Sequence, residues 1–209
     1  MKRLATLLAF PCLAAALFVG CGTSPVDQSN YPVLDASGQT VYDAAIPLVD
    51  AACSGEINAI ATQPGIHVPV GTEVTYSTNP PVAGPHYAIW AGYTEFTTPV
   101  DRRYYVHSME HGAVVFAYNC PAGCPEVLEG FRQIVAALPP DPVCNIDIDK
   151  TTHRYLITPD PALDAKVAVM AWGKYIKMQC FDRAPLEQFA RDNYGKGPEI
   201  FCGNGQMQF

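Results

Sequence analysis

Positive charge is scarce in this 209-residue chain: 13 Lys and Arg stand against 20 Asp and Glu, a formal net charge of −7. That balance argues against nucleic acid and anionic lipid headgroups as electrostatic partners. Histidine and tryptophan are scarcer still, at five and two residues. The chain also lacks a nucleophile-elbow serine, a phosphate-binding loop and a dinucleotide fingerprint, so it signals none of those chemistries. It has no internal repeat and, beyond its first twenty residues, no apolar run long enough to cross a bilayer.

What is present begins at the N-terminus. Met1-Lys2-Arg3 precedes an almost uncharged apolar run, Leu4 to Val19, that ends in Phe18-Val19-Gly20-Cys21. Residues 1–20 read as a signal peptide. The small Gly20 before Cys21 suits a peptidase that cleaves after a lipid is attached to the cysteine thiol; the alternative is ordinary secretion with a free Cys21. Gly22 at the second mature position resembles lipoproteins sent to the outer membrane of a Gram-negative cell. The expected location is the cell envelope, with the membrane as partner through an acyl (palmitoyl) anchor on Cys21 and an envelope protein as a further partner. Residues 21–40, rich in Ser, Pro, Asp and Gln, read as a tether, and 41–209 as one domain. Loss of Lys2 and Arg3 with the signal leaves 11 basic against 20 acidic residues, a formal charge of −9.

Of the eight cysteines, Cys12 leaves with the signal and Cys21 takes the lipid. Cys53, Cys120, Cys124, Cys144, Cys180 and Cys202 remain, an even number that in an oxidising compartment reads as three disulfides. The pairing is open, although Cys120 and Cys124 flank a tight Pro121-Ala122-Gly123 turn.

Val41 to Ile60 has helical stretches broken by Pro47 and Gly55, and Ile66 to Tyr76 alternates as a strand with a turn at Gly71. Asn79 to Tyr87 holds too many prolines for a regular element, so a rigid loop carries His86 and Tyr87. Ala113 to Tyr118 reads as a buried central strand and Pro125 to Leu138 as an amphipathic helix. Arg154 to Thr158 and Val167 to Trp172 read as strands, and Pro185 to Tyr194 as a terminal helix. The order predicts an α+β fold: a mainly antiparallel sheet with helices packed on one face, stiffened by disulfides and Pro-rich loops.

The densest polar cluster is Tyr104 to Gly112. Its H-x-x-E-H pattern, at His107, Glu110 and His111, is that of the inverted zinc peptidases, in which two histidines one helical turn apart hold zinc and the glutamate activates water. Two tyrosines, a valine and the closing Gly112 argue against a helix there. An extended segment would instead put His107, Met109 and His111 on one face, a donor set for copper, with Met170 and His86 as additions. The candidate metal ligands are therefore His86, His107, His111 and Glu110, with Met109 and Met170 as extras, and the candidate ions copper or zinc. The alternative is that these histidines brace a buried turn and the methionines are core. A strand, then C-x-x-x-C-P, then a helix at Ala113 to Pro125 also resembles the copper loop of the thioredoxin-fold Sco proteins, with His153 as the distant histidine; a structural disulfide is the simpler reading.

Asn79-Pro80-Pro81 through Gly84-Pro85-His86-Tyr87 and Trp90, then Val106-His107 and Glu110-His111-Gly112, then Ala171-Trp172-Gly173 and Pro198-Glu199, together resemble the bacterial family catalogued as domain of unknown function 3105. The resemblance spans Thr72 to Glu199. It implies that His86, His107, Glu110, His111 and Trp172 are motif positions, and it brings no established activity. Met109 stands where that family usually has leucine and Met170 where threonine is common. The Cys120/Cys124 pair resembles a feature of only some members. Three functions follow as expectations: a His-centred metal-binding envelope lipoprotein, an envelope scaffold with structural histidines, or a zinc hydrolase using Glu110.

Overall fold

In the computed structural model the elements run β1 (Val33–Leu34), β2 (Thr40–Val41), β3 (Gly55–Ala59), β4 (His67–Val68), β5 (His86–Tyr87), α1 (Arg102–Glu110), β6 (Val114–Tyr118), α2 (Pro125–Ala137), β7 (Tyr155–Pro159), β8 (Val167–Ala171), β9 (Lys174–Met178) and α3 (Arg183–Asn193). The structure describes residues 53–61, 63–144 and 153–206, together with the backbone of β1 and β2. The signal peptide, Cys21, most of the tether and the helical reading of residues 42–52 lie outside the described residues. Among the described residues no helix is long and apolar enough to cross a membrane. All of the described residues fall in one compact unit.

The run Val114-Val115-Phe116-Ala117-Tyr118 is apolar throughout because β6 is covered on both sides, the condition under which a strand loses its alternation. It lies inside a five-stranded sheet of order β3-β9-β8-β6-β7, in which only β6 and β7 run parallel. A parallel pair needs a long crossover, and α2 supplies it. The remaining pairs are antiparallel, and β8 returns directly into β9 through Trp172 and Gly173. The fold is thus α+β with a mainly antiparallel sheet.

On one face Val114, Phe116, Val169 and Ile176 pack beneath Val127, Phe131 and Ile134 of α2 and Leu186 and Phe189 of α3. These are the two helices read from the sequence, and they share a face as expected. On the other face Val115, Ala117, Ala168 and Met170 lie under Tyr105, Val106 and Met109 of α1 and under Val82 and Ala83 of the Pro-rich loop. That third helix was not expected, and it places a helix on the face opposite α2 and α3.

Further elements differ from expectation: within Ile66 to Tyr76 only His67–Val68 forms a strand, and His86–Tyr87, expected in a loop, pairs with it. Residues 55–59 are a strand, not a helical stretch: Ile57 turns into the core opposite Ile176, while Glu56 faces Lys177 across the ladder at 3.2 Å. Lys174–Met178, which carried no strand reading, pairs with both β3 and β8. The six remaining cysteines form three disulfides, Cys53–Cys180, Cys120–Cys124 and Cys144–Cys202. The first ties the start of β3 to the end of β9. The second closes the turn before α2, so its sulfurs are bonded to each other rather than held as thiolates. The third ties the segment after α3 to the turn that follows α2.

Candidate metal centre

The helix that carries the site forms against modest local propensity. Asp101 caps α1, its carboxylate accepting from the Arg103 amide at 2.9 Å, and Tyr105, Val106 and Met109 supply the apolar face that the sheet buries. The C-terminus closes as a Schellman motif: the Ala113 amide donates to the Ser108 carbonyl at 3.0 Å and the Gly112 amide to the Met109 carbonyl at 2.9 Å. Gly112 adopts φ 89°, which this motif requires and which a side chain resists. The expectation of an extended His107–His111 segment is therefore wrong. In a helix Met109 points about 200° away from His107, into the core with Met170, while His107, Glu110 and the helix cap His111 lie along one side.

Two further histidines come from the short parallel pair β4–β5, whose register sets His67 opposite His86. The rigid loop after Asn79 delivers β5: the Tyr76 hydroxyl donates to the Pro85 carbonyl at 2.8 Å, and the Gly173 amide to the Val82 carbonyl at 2.7 Å. The rings of His67, His86 and His107 then meet with centroids 4.7–5.1 Å apart. Glu110 completes the group. One ligand atom from each of His67, His86, His107 and Glu110 lies within 4.8 Å of all the others, so the four could hold a metal ion. From Oε2 of Glu110, Nε2 is 3.0 Å away in His86, 3.8 Å in His67 and 4.0 Å in His107.

Backbone contacts fix the orientation of the buried rings. Nδ1 of His86 is 2.8 Å from the Gly84 carbonyl oxygen and Nδ1 of His107 is 2.6 Å from that of Tyr87. A carbonyl only accepts, so each Nδ1 carries the proton, and in the neutral ring each Nε2 presents a lone pair to the cluster. Burial holds His107 down at about 3, against the Tyr87 carbonyl, which acts to raise it. Burial likewise lowers His86, although the Gly84 carbonyl and the Glu110 carboxylate oppose it. The carboxylate is walled in: Gly65 sits so close that a Cβ there would overlap Oε1 of Glu110. His86, His107 and Glu110 are buried, whereas the His67 side chain is 48% exposed.

His111 stands beside this group rather than within it. Its ring lies 4.6 Å from that of His107 and packs on Trp90 and Phe201, and its Nδ1 donates to the Glu199 carbonyl at 3.2 Å. Burial lowers its pKa as well. Trp172 meets the His86 ring edge-on at 5.9 Å. Behind the cluster Arg154, fully buried, donates to Asp141 through Nε at 2.6 Å and Nη2 at 3.0 Å and to the His111 carbonyl through Nη1. Sequence reasoning missed His67; the signal available was its place in an alternating stretch, but nothing local ties it to His86. His153 packs on Tyr155.

The chain is therefore an α+β protein with a His/Glu cluster, three of its four members buried, set between a parallel strand pair and a helix. The chain matches the family model described as protein of unknown function (DUF3105) over residues 67–203, a range that begins at His67 and takes in all four cluster residues. The chain belongs to that family. No curated protein and no solved structure matches it.

Proposed function

We propose that this chain is an exported envelope lipoprotein, anchored through Cys21, whose domain holds a divalent transition-metal ion between His67, His86, His107 and Glu110. One observation carries the metal reading: lone pairs of His86 and His107, oriented by backbone carbonyls, converge on a carboxylate oxygen, and among the described residues no backbone N–H or hydroxyl donates to it. Second-sphere bonds to Nδ1 are how metal-binding imidazoles are held. Tetrahedral zinc with bonds of about 2.0–2.1 Å needs donors roughly 3.3 Å apart. The separations of 3.0, 3.8 and 4.0 Å bracket that value.

The donors are three nitrogens and an oxygen. That set favours zinc over Cu(I), which prefers soft sulfur, and it leaves Met109 and Met170 as core residues. Glu110 stands at ligand spacing from His86, which supports a ligand role for it over that of a general base. His111 acts as a brace for the chain end. The test is titration of the chelator-stripped full chain in detergent with Zn2+: one equivalent binds wild type, and the His86→Ala/His107→Ala variant loses it. Equal binding by both would contradict the site. The anchor is tested by the mass of the N-terminal peptide beginning at Cys21, which should carry acyl chains.

A further inference from the structure

The four cluster residues differ in how firmly they are held. His86 and His107 are buried and pinned through Nδ1 to the Gly84 and Tyr87 carbonyls. Glu110 is buried on α1 behind Gly65, and its backbone carbonyl accepts from the Glu199 amide at 3.2 Å. His67 lies on a two-residue strand with its side chain 48% exposed, and among the described residues no hydrogen bond fixes its ring. Its neighbour Ile66 is 53% exposed, so this flank of the cluster faces solvent. An ion entering from water therefore meets His67 first, while the other three donors are already oriented.

Resting on the metal reading above, we infer that His67 is the exchangeable ligand: loading ends with, and transfer to an incoming donor begins with, exchange at the bond to His67 Nε2, while His86, His107 and Glu110 hold the ion through that exchange. The step is a ligand substitution without redox change: the bond from the metal to His67 Nε2 breaks, its lone pair stays on the imidazole, and a nitrogen or oxygen donor of the acceptor takes the vacated position; further donors of the acceptor then displace Glu110, His107 and His86 in turn, each keeping its lone pair. Such a site delivers metal rather than merely sequestering it, and its acceptor is a chelating group able to approach the exposed flank. Outer-sphere partners alone change metal affinity by about 10–100-fold, so removal of a solvent-facing ligand should change the release rate at least about tenfold.

The experiment loads full chain in detergent with Zn2+ and follows transfer to the chromophoric chelator 4-(2-pyridylazo)resorcinol by stopped flow. His67→Ala is expected to keep bound zinc but release it on the order of tenfold faster than wild type, with added imidazole restoring the slower rate. His86→Ala and His107→Ala are expected to bind none. An unchanged rate in His67→Ala, or faster release that imidazole does not slow, overturns the inference while leaving the metal site standing. Complete loss of zinc from His67→Ala makes it an anchoring ligand and also overturns the inference. Absence of zinc from wild type overturns the metal reading, and this inference with it.

Discussion

Nε2 of His86 and Oε2 of Glu110 lie 3.0 Å apart, and when His86 is neutral both atoms are acceptors, because its Nδ1 proton is committed to the Gly84 carbonyl. Two buried acceptors at that distance repel unless a proton or a cation lies between them. Burial disfavours a charge on the ring, and the proposed ion is the cation that would relieve this repulsion.

Glu110→Gln separates a metal site from a structural polar cluster. The amide can donate to His86 Nε2, so the metal-free variant should be more stable than metal-free wild type by about 1 kcal/mol in urea unfolding, while zinc affinity falls by at least about tenfold. If the cluster exists only to brace the loop, the variant should lose stability and show no metal-dependent difference.

Gly65→Ala should act at the same place from the other side. A Cβ there must displace the Glu110 carboxylate, so about 1–3 kcal/mol of stability and most zinc binding should be lost together. Zinc titration and urea unfolding of the one variant check both.

Stability of the metal-free chain should fall on acidification. His107 is held at about 3, below its unfolded value of about 6.5, and His86 and His111 are also lowered, so the unfolded chain binds more protons between these limits. The His107 contribution is complete above pH ~6.5 and is lost as the pH drops toward about 3, by about 1.4 kcal/mol per unit for a proton taken up only on unfolding, and His86 and His111 steepen the fall below ~6.5. Replacing His107 by Gln should flatten that slope, as read from unfolding free energy across the window.

Arg154 and Asp141 form a buried ion pair that also holds the His111 carbonyl at the end of α1. Burial acts to raise Asp141, but Arg154 and the Cys144 and Val143 amides outweigh it and hold the carboxyl below its usual range. Arg154→Met should cost about 3–5 kcal/mol by stranding that charge, and Arg154→Met/Asp141→Leu should recover most of it. Urea unfolding of the two variants decides.

Much of this fold can be read from side-chain pattern, and the exceptions have physical causes. The apolar run of β6, the face of α2 and the six cysteines of the domain carry their meaning locally. α1 does not, because Tyr104, Tyr105 and Val106 are indifferent helix formers that become helical when Tyr105, Val106 and Met109 are buried against the sheet. Asp101 caps that helix in the structure, and Gly112, read as an argument against it, is what ends it. With the helix in place, His107 and Glu110 fall on one side, as the H-x-x-E-H pattern implied. His67 joins them through a parallel pairing with His86, a non-local contact with no spacing signature.

The most direct test of the metal claim is elemental analysis by mass spectrometry of the full chain, purified in detergent without chelator, beside His86→Ala/His107→Ala prepared identically. Close to one zinc per chain in wild type, absent from the variant, is the predicted result. A wild-type chain that is folded, with its three disulfides formed, yet carries no more transition metal than the variant would contradict it.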